Sequence, residues 1–163
     1  MKLTDFFLAE LEREAAITRR ALQRVPEGRN DWKPQGESMA LGYLASLVAT
    51  MPSWIQTMIQ HNELDLKSAA AEKFKPCEWR TRADLTAALD SAVAEARQAL
   101  AGTTDDHLEE SCRFVIGGRV VDENPRHVMI SEEVFRHMAH HRGQLTVYLR
   151  LNEATGTGTL AGG

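Results

Sequence analysis

The chain has 163 residues, 43% hydrophobic and 26% charged, with a formal net charge of −4, the composition of one globular domain with a real core. No basic block is present, which argues against a nucleic-acid surface. No apolar run approaches the roughly 20 residues of a membrane span, and Asp5, Glu10 and Glu12 break up the first apolar residues where a signal peptide would need them.

Thr4 is placed to cap a first helix reaching about Arg24, with Phe7, Leu11, Ala15, Thr18, Leu22 and Val25 as its inner stripe. Pro26 and Gly28 end it, and Asn30 to Glu37 reads as a loop. Ser38 opens a second helix with Leu41, Leu44, Leu47, Val48 and Met51 on its apolar side. Pro52 cannot donate to the Val48 carbonyl, so a kink or break is expected before a further helical segment, Trp54 to Gln60. His61 follows as a polar residue at that helix's C-terminal end.

From Asn62 to Arg80 the pattern dissolves into a polar connection of the crossover kind. Thr81 caps a third long helix, to about Ala101, whose stripe is Leu85, Leu89, Ala92, Val93, Ala96 and Leu100. Thr103 to Glu110 predicts a short helical turn. Cys112 to Val121 predicts a minor β-hairpin around Gly117-Gly118 that must pack on the helices to be stable. Cys77 and Cys112 are isolated, without CxxC spacing or a local activating signature, which fits a reducing, cytoplasmic setting.

Asn124 to Leu151 reads as one long C-terminal helix, with Asn124 as N-cap and Pro125 at its first position. Val134, His137, Met138, His141, Leu145, Tyr148 and Leu149 make an inward stripe with imidazoles set into it. The tail, residues 152–163, is rich in glycine and threonine and is expected to be flexible. Four amphipathic helices, a long crossover and a minor hairpin predict an all-α four-helix bundle as a single domain, residues 1–151.

His137 and His141 stand at i, i+4, so both rings leave the same face and could share one metal ion. The plainer alternative is a pair of core histidines satisfied by hydrogen bonds. No Glu follows His137, so the zinc-protease pattern is absent. Glu133 is eight residues from His141, about 12 Å of helix rise, and makes a poor third ligand. His140 points to the side, and Arg142 and Arg150 read as ion-pairing residues. Tyr148 could line the same pocket, and Gly143 suggests close approach by another backbone.

Phe135-Arg-His-Met-Ala-His-His-Arg-Gly-Gln-Leu-Thr-Val-Tyr-Leu-Arg-Leu151 resembles the last-helix signature of the DinB family, the DinB/YfiT-like metalloenzymes. Ser38-Met-Ala-Leu-Gly-Tyr-Leu-Ala45 and Pro52-Ser-Trp54 resemble its second-helix segment, with Asp31-Trp-Lys-Pro34 and Glu63-Leu-Asp-Leu66 in the flanking loops. The resemblance implies a four-helix bundle, usually a homodimer, with a divalent metal such as Zn or Ni on three histidines. Two of those match His137 and His141. The third belongs where this chain has Leu47, so metal is expected to be weakly bound or absent.

Three functions follow as expectations. One is a divergent metal-dependent enzyme of thiol-dependent transferase or hydrolase type. Another is a catalytically inactive bundle serving as a small-molecule binding or interaction scaffold. A third is a metal-independent transferase with His141 as base and Arg142 near an anionic thiol cofactor. A homodimer is expected on helix faces around Trp54 and Met58.

Overall fold

A computed structural model describes residues 1–68, 71 and 74–157, the side chains of the last four aside. The described residues are 64% helical, with a small three-stranded sheet. Helix α1 (Leu3–Leu22) starts ahead of Thr4 and has no cap of its own. Its first N–H groups are met from across the chain. Asp105 Oδ2 and Oδ1 accept from Leu3 and Thr4 at 2.9 and 3.1 Å.

Helix α2 (Leu41–Thr50) opens three residues after Ser38, because the preceding loop supplies the acceptors. Leu41 and Gly42 donate to the carbonyls of Trp32 and Asn30, each at 2.8 Å. At Pro52 the chain tightens into a 3-10 turn, Met51–Ser53, before α3 (Trp54–Gln60), as a missing backbone donor requires.

The crossover carries a short strand, β1 (Glu63–Asp65), which pairs parallel with β2 (Ser111–Ile116). Strand β2 pairs antiparallel with β3 (Arg119–Pro125) through Gly117 and Gly118, whose φ angles are +59° and +81°. The hairpin is therefore part of a three-stranded sheet. A three-residue strand with only Leu64 buried has no periodic pattern to announce it. Helix α4 (Arg82–Ala101) begins as expected, and α5 (Asp105–Glu109) falls within the expected turn, two residues after its expected start. Thr81 and Asp84 form a reciprocal capping box, and Thr104 accepts from His107.

The C-terminal helix differs at both ends. Asn124 and Pro125 belong to β3, where Pro125 pairs with Ser111, and the first helical residue is Arg126. Arg126 donates its N–H to the Glu110 carbonyl. Helix α6 (Arg126–Met129) passes through a π-helical stretch, Ile130–Arg136, into α7 (His137–Thr157). The helix thus runs past Leu151. Asn152 is buried, accepting from Arg29 at 2.9 Å and donating to the Tyr148 carbonyl at 3.0 Å. The rest of the expected tail, residues 158–163, lies outside the described residues.

Helix α1 packs on α4, and α2 packs on both α4 and α7, with further contacts of α1 to α2 and α7. One core joins them. Trp54 and Met58, expected on the surface, are inside it at 7% and 0% exposure, so they cannot form a dimer face.

Candidate functional site

His137 and His141 open α7 immediately after the π-helical stretch. His141 is buried and His137 half-buried, and their Nε2 atoms approach to 2.8 Å. His141 Nδ1 lies 2.8 Å from Gln144 Oε1, an acceptor, so its proton sits on Nδ1 and the Nε2 lone pair faces His137. His137 Nδ1 is buried without a full hydrogen bond, although the Glu133 carbonyl one turn back favours its protonated form. A neutral His137 protonated on Nε2 donates across this gap to the His141 lone pair; when both imidazoles carry Nδ1–H instead, two lone pairs confront each other and call for a proton or a metal between them. Burial opposes the proton, since desolvation pushes both imidazoles below their usual range.

In the second arrangement the pair can act as two donors toward Zn²⁺ or Ni²⁺. Two nitrogens on a tetrahedral ion, each about 2.0–2.1 Å away, lie roughly 3.3 Å apart, a spacing reached by a small ring rotation. Among the described residues no group of three His, Cys, Asp or Glu side chains is placed to hold a metal. Leu47 is 6% exposed on α2, which packs against α7. The Cys112 thiol is fully buried and pushed up by desolvation, which leaves it inert.

Other residues singled out by sequence divide clearly. His140 is exposed but meets the His141 ring edge-on at 5.1 Å. Arg142 pairs with Glu14, both side chains largely buried, and donates to Thr18 at 3.0 Å, which fastens α7 to α1. That engagement removes support from its proposed role beside an anionic cofactor. Tyr148 donates to the Met39 carbonyl at 3.2 Å and packs on Trp32, so its hydroxyl serves the loop before α2. His61 is exposed at the end of α3.

Sequence reading overlooked Arg126. It is fully buried and donates to the carbonyls of Met58, Glu110 and Ser111 at 3.1, 3.2 and 3.3 Å, and to Asn62 Oδ1. It anchors the helix that carries the histidines. Its position on the apolar stripe of an expected N-terminus was the available signal. A cleft of about 890 Å³ lies elsewhere, between α2 and residues 74–80, with Tyr43, Phe74, Cys77 and Trp79 among its walls.

The sequence profile of the DinB family matches residues 1–155. A DinB-like protein of Bacillus subtilis, YjoA, has a similar crystal structure, with a TM-score of 0.67 and 17% identity over 90% of this chain and 91% of that one. A search of curated proteins gave no match. The family profile covers nearly the whole chain, histidine pair included, and the chain belongs to the DinB family.

Proposed function

We propose that this is a divergent DinB-family protein, a four-helix bundle that binds Zn²⁺ or Ni²⁺ weakly at His137 and His141. The observation that carries the reading is the 2.8 Å approach of the two Nε2 atoms. Gln144 holds the His141 ring in the tautomer a metal needs, the usual office of a partner to the outer imidazole nitrogen. The ion, when bound, would supply Lewis acidity toward a carbonyl or a thiol. The finer reading, a thiol-dependent transferase or hydrolase working on a small molecule, rests on family resemblance. The second reading is an inactive scaffold. Leu47 in the core and the 6% exposure of His141 favour it.

Calorimetric zinc titration tests the site. The natural protein should bind at one weak site that is lost in His141→Gln. Leu47→His should tighten binding by at least 10- to 100-fold, the loss usual for a mere supporting residue, at a packing cost of about 1–3 kcal/mol. Nanomolar affinity in the natural chain would mean that another residue completes the shell. A homodimer and a cytoplasmic location complete the proposal. No helix of the described residues is long and apolar enough to cross a membrane.

A further inference from the structure

Trp54 Nε1 and Thr57 Oγ1 are buried with no hydrogen-bond partner among the described residues, as is His137 Nδ1. Trp54 and Thr57 are 7% and 3% exposed and stand three residues apart on α3, sharing a face. The Trp54 ring meets the His137 ring edge-on, with centroids 6.0 Å apart. It also meets Phe74 edge-on at 4.9 Å, and Phe74 is a wall of the 890 Å³ cleft. The Trp54 ring thus touches both a histidine of the pair and a wall of the cleft.

An unmet buried donor costs about 1–3 kcal/mol, so the fold keeps this one at a disadvantage. Nothing in the chain forces that outcome on an indole, since Trp79 Nε1 donates to the Gly42 carbonyl at 2.9 Å. An indole N–H can only donate, so whatever meets it must accept. Among the described residues no cationic side chain bonds to Trp54 Nε1 or Thr57 Oγ1, and a carboxylate taken into so dry a place would lose its hydration uncompensated. A neutral carbonyl oxygen suits the donors present.

We propose that Trp54 and Thr57 form a subsite beside the histidine pair for the carbonyl oxygen of a small uncharged substrate, an amide or an ester. The indole N–H donates to that oxygen, the Thr57 hydroxyl donates or accepts beside it, and the rest of the molecule extends toward the cleft. The assignment deepens the histidine-site reading and rests on it for the purpose of the subsite, although not for the binding itself.

The test uses acetamide on the full-length, EDTA-treated, ¹⁵N-labelled protein, with the indole N–H signals followed by NMR. Trp54→Phe assigns the Trp54 signal, and Thr57→Val keeps the shape of the wall while removing its hydroxyl. The expected result is a saturable downfield shift of the Trp54 signal, an unmoved Trp79 signal, and several-fold weaker acetamide affinity in Thr57→Val. A Trp54 signal indifferent to acetamide overturns the proposal, as does one that answers to acetate alone, or a Thr57→Val protein with higher thermal stability and unchanged affinity. Zinc titration followed on the imidazole signals is read separately. Failure of the subsite and failure of the metal site are therefore distinct results.

Discussion

Burial lowers the pKa of both His137 and His141. Desolvation is the chief cause for both, and it outweighs the opposing Glu133 carbonyl at His137 and Gln144 at His141. The sign follows from linkage. A histidine whose pKa is lower in the folded state takes up its proton first when unfolded, so its contribution to stability is complete above about pH 6.5 and is lost as pH falls toward the folded value. Urea midpoints should therefore decline below about pH 6.5, and His141→Gln should flatten that decline. A midpoint in the natural protein that is flat from pH 7 to 5 would show that the pair protonates as freely folded as unfolded. Zinc should reinforce the same dependence, because each ring must be neutral to coordinate. At this scale the sequence was informative about the pair, since i, i+4 spacing alone places both rings on one face. It could not show that Gln144 orients one of them, as that depends on a side-chain rotamer three residues on.

Among the elements, the start of α2 is the joint most sensitive to a single atom. Gly42 donates to the Asn30 carbonyl, its own carbonyl accepts from the Trp79 indole, and Asn30 Nδ2 donates to the Trp79 carbonyl at 3.1 Å. A Cβ on Gly42 would stand 2.8 Å from the Asn30 Cβ and 3.1 Å from its backbone. Gly42→Ala gains at most about 1 kcal/mol of helix propensity and forces the loop aside, so a net loss of about 1–3 kcal/mol is expected in urea unfolding. A stabilised variant would show that the loop gives way freely. Local rules predicted the elements that local chemistry builds. The Thr81–Asp84 box, the break at Pro52 and the Gly117-Gly118 turn each depend on residues a few positions apart. Elements closed by distant partners were misplaced. Asp105 caps α1 from about a hundred residues away, β1 exists because β2 lies beside it, and Arg126 begins its helix against the Glu110 carbonyl.

For the whole molecule, burial of Trp54 and Met58 moves the proposed homodimer to another face. Ala139, Gly143, Val147 and Leu151 recur every four residues along α7, and Val147 and Leu151 are 49% and 41% exposed. Gly143 has open space where its Cβ would stand, so packing within the chain does not require a glycine there. A helical glycine costs about 1 kcal/mol relative to alanine, and close approach by another helix would offset it. A groove of about 560 Å³ between α1 and α7, with Ile17, Ala21 and Gly143 among its walls, adjoins the stripe. Ridges spaced by four interlock with ridges spaced by four. If two copies of α7 cross antiparallel, Val147 of one lies over the Gly143 gap of the other, and a two-fold axis makes both contacts equivalent. Light scattering should then give twice the 18.2 kDa of the chain. Val147→Glu should reduce that to the single-chain mass without altering the far-ultraviolet circular dichroism, because the side chain is outside the core. A natural protein that is monomeric at micromolar concentration removes the dimer. A dimer that survives Val147→Glu puts the interface on another helix face and leaves Gly143 without this explanation.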